Sequence, residues 1–156
     1  MIDHHRALRQ GVPEVVLGEA KTAEQLEIIV QRMAAHGDNV LVTRISGEKA
    51  KILLKNHPGS EYDADARTFV LQQKPHEDLG CGKILIICAG TSDLPVAKEA
   101  AVTARMFNNQ VEELVDVGVA GIHRLLAHTN ALREASVIIV VAGMEGALPS
   151  VVGGLV

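Results

Sequence analysis

The stretch that decides the fold is residues 83–93, KILIICAGTSD. Residues 84–88 form a continuous apolar run, which is typical of a strand buried on both faces of a parallel sheet. The run ends in a turn at residues 89–93, and an alanine-rich segment with helical period follows it. The sequence therefore predicts a buried strand that leads directly into a helix.

The turn after this strand could hold a ligand or could simply begin the helix. Thr91, Ser92 and Asp93 are all residue types that cap helix N-termini, and Pro95 suits the first helical turn. Free backbone N–H groups and the positive end of a helix dipole at such a junction suit a phosphate. Taken alone, the pattern favours neither interpretation, but the two similar junctions that follow it favour a site.

Two further strand–turn–helix units follow in the second half of the chain. Residues 111–117 precede a glycine-containing turn and a helix predicted over residues 122–134; residues 137–141 precede a turn and a helix that begins near Leu148. Three such units with right-handed crossovers form a parallel, doubly wound (flavodoxin-like) sheet. Ligands bind beyond the carboxyl ends of the strands in such sheets, so the three turns should converge there.

The first 78 residues are predicted to form a separate small α/β domain. They carry 22 charged side chains, against 12 in residues 79–156, and we place the domain boundary near residue 78. Thr22 and Gln25 form a capping box ahead of a helix that ends near Gly37. Strands are predicted at residues 13–17, 39–43 and 67–71, a second helix at residues 46–55, and a polar lead-in of helical character at residues 1–10.

The second domain, residues 79–156, is expected to be incomplete at its C-terminus. The chain stops at GGLV, an apolar segment without a cap. A doubly wound sheet usually has more strands than the three predicted here. We therefore expect a truncated sheet.

Composition excludes several classes of function. The net charge of −4, the absence of a long basic run and the scarcity of aromatic residues argue against a nucleic-acid partner. No apolar run reaches transmembrane length and the N-terminus has no signal-peptide core, so we expect a soluble cytoplasmic protein without a membrane partner. The two cysteines form no disulfide framework. No metal site is expected, because His4 and His5 point about 100° apart on a helix and His123 and His128 lie on different faces.

The second and third turns carry the remaining candidate residues. His123 can exchange a proton and Arg124 can bind a phosphate or carboxylate at two points, although a packed imidazole and a surface ion pair would explain them equally well. Glu145 lies between Gly143 and Gly146 in an apolar stretch, where a buried carboxylate must be hydrogen-bonded, paired or protonated. Those glycines would let a substrate ring approach the backbone. A carboxylate that caps a helix is the alternative for Glu145.

The segments ICAGTSD, VGVAGIHRLL and VVAGMEGALPSVVGGLV resemble, in this order and spacing, the carboxylase domain of the aminoimidazole ribonucleotide carboxylase (PurE-like) superfamily. They are most similar to the pyridinium-3,5-biscarboxylic acid mononucleotide synthase family, which serves nickel-pincer nucleotide biosynthesis. The N-terminal stretch HRALRQGVPEVVLGEAKT also resembles that family, and purine-pathway enzymes lack it. The resemblance covers nearly the whole chain.

This resemblance implies a reaction on nicotinic acid adenine dinucleotide. Carbon dioxide, as co-substrate, carboxylates the pyridinium ring, and hydrolysis of the diphosphate releases AMP. No tightly bound cofactor is implied, a magnesium requirement stays open, and a homo-oligomer is expected. The alanine face of the first predicted helix (Ala97, Ala100, Ala101 and Ala104) could serve as a subunit contact or could pack inside one subunit.

The resemblance also implies roles for the candidate residues. Glu145 would lie beside the ring and His123 would line the pocket as catalytic residues. The implied substrate-binding residues are Gly90, Thr91, Ser92, Asp93, Arg124, Gly143 and Gly146, with Thr91, Ser92 and Asp93 holding phosphate and ribose.

The sequence departs from the family at the nucleophile. A thiolate that adds to the ring would make a neighbouring carbon nucleophilic toward carbon dioxide. The family's cysteine is expected downstream of Val156, and neither Cys81 nor Cys88 matches it. We therefore expect this chain to bind nucleotide poorly or not at all and to be catalytically inactive. Two alternatives stay open: carboxyl transfer on an aminoimidazole ribonucleotide with His123 as acid/base, and a non-catalytic nucleotide-binding module in which the turns only cap helices.

Overall fold

The computed structural model describes residues 14–75, 77 and 80–156. The chain divides into two compact units, Met1–His76 and Glu77–Val156. Each unit is an α/β structure with its own sheet and core. The lead-in predicted to be helical, residues 1–10, lies outside the described residues.

The first unit is a four-stranded mixed sheet with two helices. In chain order its elements are β1 (Val15–Leu17), α1 (Ala23–Ala35), β2 (Val40–Thr43), α2 (Gly47–Asn56), β3 (Glu61–Asp63) and β4 (Thr68–Leu71). The strands follow the order β1-β2-β4-β3; β1 is parallel to β2, and the other pairs are antiparallel. Its core packs Leu26 and Val30 of α1 with Leu53 of α2 and Phe69 of β4.

The predicted capping box of α1 is confirmed, whereas strand β3 was not predicted. The Gln25 N–H donates to the Thr22 hydroxyl at 3.2 Å, and the Thr22 N–H donates to Gln25 Oε1 at 3.0 Å. Strand β3 was missed because its three residues, Glu-Tyr-Asp, are too few to show the alternation over four to eight residues that indicates a strand. It is a short strand at the edge of the sheet. A hydrogen bond from the Tyr62 hydroxyl to the Ile45 carbonyl, at 3.3 Å, helps to hold it in place.

The second unit is built on a parallel sheet. Its elements are β5 (Lys83–Cys88), α3 (Leu94–Met106), β6 (Gln110–Leu114), a short 3₁₀ turn (Val119–Gly121), α4 (Ile122–Leu126), α5 (Thr129–Glu134), β7 (Val137–Val141) and α6 (Ala147–Gly153). The strand order is β6-β5-β7, with all strands parallel. The predicted α/β class with a parallel sheet is confirmed.

Helices cover both faces of this sheet. Ile86 and Cys88 of the central strand β5 pack against Ala97 and Ala101 of α3. Leu85 and Ile87, which point the opposite way, pack in a second cluster with residues of α4, α5 and α6. The alanine face of α3 thus packs inside its own unit, so it gives no support to a subunit contact, and the homo-oligomer stays a proposal.

Two predicted boundaries in this unit were wrong. The helix expected over residues 122–134 is interrupted at residues 127–128, where His128 leaves the helical region and the Thr129 hydroxyl donates to the Leu126 carbonyl. A side chain that binds this carbonyl competes with the regular helical hydrogen bond. The strand expected to reach residue 117 ends at Leu114, because Asp116 adopts a positive φ of 58° that an extended strand cannot accommodate.

Candidate functional site

The three turns after β5, β6 and β7 lie at one edge of the sheet. The strands are parallel, so their carboxyl ends share that edge. We call residues 89–93 the first turn, 115–121 the second turn and 142–146 the third turn. From the central strand β5, the chain passes first to β6 on one side and then across to β7 on the other. The gap between the carboxyl ends of β5 and β7 is therefore the topological switch point, where ligands bind in such sheets.

Asp93 ties the first turn to the third. Its Oδ2 accepts the Gly90 N–H at 3.0 Å, and its Oδ1 accepts the Gly143 N–H at 2.9 Å. Gly143 meets this carboxylate closely, since a Cβ on Gly143 would lie 3.2 Å from Oδ1. Asp93 is the N-cap residue of α3, but its side chain makes no capping hydrogen bond. Of the alternatives that the sequence leaves open for Asp93, a side-chain cap of the helix is therefore excluded: the carboxylate joins two turns 50 residues apart in sequence.

The second turn packs directly against the first. The Gly118 N–H donates to the Ala89 carbonyl at 3.0 Å, and the Val117 N–H donates to the Cys88 carbonyl at 3.2 Å. A Cβ on Gly118 would lie 2.9 Å from the Ala89 oxygen, so a side chain at this position would push the two turns apart. These contacts and those of Asp93 confirm the predicted convergence of the three turns. The roles of the individual residues remain predictions.

Thr91 and Ser92 of the first turn are exposed at the start of α3. The Asp93 N–H donates to the Gly90 carbonyl at 3.1 Å, and the Leu94 N–H to the Thr91 carbonyl at 3.3 Å. This tight turn leaves both hydroxyl groups facing solvent at the N-terminus of a 13-residue helix. The positive end of that helix dipole favours an anion close to these hydroxyls.

His123 and Arg124 lie at the N-terminal end of helix α4, and both side chains are exposed. The sequence alternative of a packed core imidazole is thus excluded for His123. Arg124 forms an ion pair with Asp116, with Nη1 and Oδ2 3.4 Å apart. The alternative of a surface ion pair is therefore present at Arg124, and Asp116 is a residue that the sequence analysis missed.

The environment of Glu145 differs from the buried one that the sequence predicts. It is exposed, as are its neighbours Gly143 and Met144, so the expected cost of a buried carboxylate does not arise. Gly146 is the N-cap residue of α6 and has a φ of 66°, which only glycine adopts without strain. A Cβ on Gly146 would meet no atom within 4 Å, so this glycine borders open space.

Neither cysteine is placed to act as a nucleophile at this edge. Cys88 is buried in β5, and burial raises the pKa of its thiol, which a backbone hydrogen bond from Asp116 only partly offsets. The expectation that Cys88 is buried is confirmed, and the raised pKa favours the neutral thiol, which is a poor nucleophile. Cys81 is exposed, but it precedes β5 and so lies at the amino end of the strand, away from the turns.

Two further features of the described residues concern metal ions and membranes. Within residues 14–75, 77 and 80–156, no three histidine, cysteine, aspartate or glutamate side chains gather in a way that could hold a metal ion. Every helix in the same ranges is too short or too polar to cross a membrane.

The sheet and its joined turns define a doubly wound α/β protein with a candidate ligand site at the switch point. Residues 1–74 match the family described as the LarB/PurE-like N-terminal domain, and this match supports a relationship to the LarB/PurE-like family. It is also 39% identical, over 163 residues, to an uncharacterised protein of Methanocaldococcus jannaschii. That alignment covers 99% of this chain and 63% of the relative, so the chain spans less than two thirds of the relative's length.

Proposed function

We propose that this chain contributes the substrate-binding edge of a PurE-type carboxylase that acts on a pyridine nucleotide. The substrate is nicotinic acid adenine dinucleotide, whose pyridinium ring is carboxylated by carbon dioxide and whose diphosphate is hydrolysed to release AMP. The product serves nickel-pincer nucleotide biosynthesis. The match of residues 1–74 to the LarB/PurE-like family supports the carboxylase class, and the resemblance of the turn motifs supports the substrate.

The observation that carries this proposal is the joining of the three turns at the switch point. Asp93 holds Gly90 and Gly143 together, and Gly118 lies against Ala89. Such a fixed arrangement lowers the entropy that the turns themselves lose when a dinucleotide binds. Three turns that only capped their own helices would not need a carboxylate to connect two of them.

Each turn is assigned to one part of the substrate. Thr91 and Ser92, at the positive end of α3, bind a phosphate. Arg124 binds a second anionic group. The two oxygens of Asp93 each accept one N–H, and a carboxylate has about four acceptor positions, so it can also accept a ribose hydroxyl. Its main role is to hold the turns.

The pyridinium ring is assigned to the third turn. Gly146 borders open space, which lets a flat ring lie against the backbone. The exposed carboxylate of Glu145 is next to it in sequence, and its negative charge favours a cationic pyridinium. His123, exposed on α4, can donate or accept a proton. Carbon dioxide is the co-substrate, and a magnesium ion would bind through the substrate's diphosphate.

In this proposal, the turns bind the substrate, but neither cysteine of the chain can act as the nucleophile. Cys88 is a buried, neutral thiol, and Cys81 lies at the other end of a six-residue strand, which spans roughly 20 Å. Neither thiol can therefore add to a ring held at the turns. The described residues supply the binding edge, and we expect no turnover from this chain alone.

A titration followed by amide NMR tests the binding edge and suits weak affinity. Adding nicotinic acid adenine dinucleotide should shift the amides of Gly90, Gly143 and Gly146, but not those of Gly37 and Gly59 in the first unit. Shifts confined to the first unit, or none at all, would contradict the proposal. Aminoimidazole ribonucleotide is the control ligand for the purine-pathway alternative; stronger shifts of the same amides with that ligand would favour the alternative.

A charge-removing variant tests the assignment of the ring. Glu145→Gln should weaken binding of the dinucleotide about two- to fivefold, the size expected of an exposed ion pair, and leave AMP binding unchanged. Glu61→Gln, at an exposed position of β3, is the matched control. An equal loss for AMP would show that Glu145 does not face the pyridinium. Formation of a carboxylated pyridinium product by the wild-type chain would show that it contains its own nucleophile.

A further inference from the structure

Asp116 has an unusual backbone conformation in the second turn. Its φ of 58° lies in the left-handed region, which is uncommon for residues other than glycine but is tolerated by aspartate and asparagine. Its position is fixed by its neighbours: the Val117 N–H donates to the Cys88 carbonyl at 3.2 Å. The backbone next to Asp116 is thereby anchored to the end of the central strand β5.

The side chain of Asp116 holds one corner of the Arg124 guanidinium. Its Oδ2 lies 3.4 Å from Arg124 Nη1. The guanidinium also covers Gly121, because a Cβ there would lie 2.8 Å from Cζ and Nη2 and 2.9 Å from Nε. These three distances are nearly equal, so the Gly121 Cα faces the plane of the guanidinium and not its edge. Two contacts therefore fix this plane: Asp116 at Nη1 and Gly121 on one face.

This arrangement is hard to explain as a stabilising ion pair. The Arg124 side chain is 45% exposed and that of Asp116 is 62% exposed, and pairs this exposed contribute little to stability. The left-handed conformation of Asp116 works against the small gain. The in-plane N–H groups of Nε and Nη2 make no hydrogen bond to any described residue. Arg124 thus has one corner held and one two-donor edge available.

We propose that Asp116 is a positioning residue that, together with the bare backbone of Gly121, orients Arg124 to bind a phosphate or diphosphate group at the carboxyl edge of the sheet. This role of Asp116 rests on the proposed function, in which Arg124 binds an anionic group of the substrate. The Nε/Nη2 edge matches the geometry in which arginine binds two phosphate oxygens at once. Orienting this edge in advance removes part of the entropy cost of binding.

The first test uses two variants that displace the guanidinium by different means. Asp116→Asn keeps a residue type that tolerates the left-handed backbone, but it removes the charge that faces Nη1. Gly121→Ala adds a Cβ where the guanidinium lies, and the flexible Arg124 side chain can move away without unfolding the turn. Gly153→Ala is the matched control, because a Cβ there meets nothing within 4 Å.

Both variants should act through Arg124. We expect each to weaken binding of nicotinic acid adenine dinucleotide and of inorganic pyrophosphate about three- to tenfold, with the thermal unfolding midpoint unchanged. Neither should weaken binding further in an Arg124→Ala background. An equal loss in both backgrounds would overturn the positioning role, and so would tighter binding by Asp116→Asn, which would make Asp116 a competitor for the guanidinium.

The side-chain NMR signal of Arg124 gives a readout that does not depend on a ligand. In the wild-type chain, the Nε–H group should show restricted motion on the nanosecond timescale, and both variants should increase that motion. An equally mobile wild-type side chain would overturn the inference. A wild-type chain that binds neither ligand would contradict the proposed function, whereas normal wild-type binding that Asp116→Asn leaves unchanged would overturn only the role of Asp116.

Discussion

The two units use the polar groups of their turns in different ways. In the first unit, Asp63 Oδ1 accepts the N–H groups of Asp65 and Ala66, both at 2.9 Å, and so closes a single tight turn. In the second unit, Asp93 joins two turns that are far apart in sequence. The first carboxylate stabilises the turn in which it lies, whereas the second arranges an edge where other polar side chains remain exposed.

Exposed apolar side chains show the same contrast. Among the described residues, the first unit exposes three large apolar side chains (Leu17, Ile28 and Ile52), and the second exposes six (Val96, Val115, Leu126, Val137, Met144 and Val156). Met144, in the third turn, is 98% exposed. Among the described residues, the second unit thus exposes twice as many large apolar side chains as the first. Substitutions in the two cores should therefore have similar effects, and substitutions in the turns should not.

The largest effect is expected from emptying a core. Phe69 and Leu85 are each fully buried, one in each unit. Phe69→Ala should lower the free energy of unfolding of the first unit by about 3–5 kcal/mol, and Leu85→Ala that of the second by about 2–5 kcal/mol, because each leaves a cavity. Urea denaturation followed by amide signals from each unit measures both values. Ile28→Ala, at a half-exposed site, is the control, and a loss as large as that of Phe69→Ala would contradict the assigned core.

A smaller effect is expected where the second turn meets the first. Gly118→Ala would place a Cβ 2.9 Å from the Ala89 carbonyl oxygen, a backbone atom that cannot move aside easily. Such overpacking should lower the stability of the second unit by about 1–3 kcal/mol. Thermal unfolding measures the change against Gly153→Ala, which has no close neighbour. If both variants have wild-type stability, the two turns are not packed as described.

The sequence predicted the elements whose signals are local. The apolar run of β5, the capping box at Thr22 and the glycine-containing turns were all recognisable from the residues themselves, because burial, capping and turn formation depend on neighbouring positions. The parallel order of the strands followed from the repeated strand–turn–helix units and their right-handed crossovers. This was enough to place the three turns at one edge.

Features that depend on tertiary contacts could not be predicted in this way. The residues around Asp93 do not reveal whether its side chain caps the helix or connects two turns, because its partner Gly143 is 50 residues away in sequence. The sequence contains only one weak indication of the conformation of Asp116, which is that aspartate tolerates a left-handed backbone. The exposure of Glu145 was misjudged because an apolar sequence around a residue does not make its turn buried.

The two aspartates test whether the turns really differ. Asp93→Ala removes two charge-assisted hydrogen bonds at a half-buried site and should lower the stability of the second unit by about 1–2 kcal/mol. It should also speed hydrogen exchange at the Gly143 amide, which loses its acceptor. Asp63→Ala should affect exchange only in its own turn, at Asp65 and Ala66. Unchanged exchange at Gly143 in Asp93→Ala would remove the distinction between the two carboxylates.

The smallest effect concerns acid sensitivity, where the units should again differ. Burial alone would raise the pKa of Glu113 on β6, but a hydrogen bond from Arg105 and the nearby charge of Lys98 outweigh it, and the pKa lies below its ordinary value of 4.5. Because the folded-state pKa is the lower one, this stabilisation is present above about pH 4.5 and is lost as the pH falls through the folded value. Glu24 in the first unit also has a lowered pKa, through its hydrogen bond with Thr22, but it is fully exposed.

Glu113→Gln should therefore act on the second unit and flatten its response to acid. The Glu113 side chain is only 16% exposed and lies 2.7 Å from Arg105 Nη2 and 3.2 Å from Lys98 Nζ, so its charge links α3 to the edge strand β6. The variant should lose roughly 1 kcal/mol of stability at pH 7 and less at pH 3, because protonation of the wild-type carboxylate removes this stabilisation as the pH falls below 4.5. Urea denaturation at both pH values measures the difference. An equal loss at pH 3 and pH 7 would mean that Glu113 stabilises the unit by packing and not by its charge.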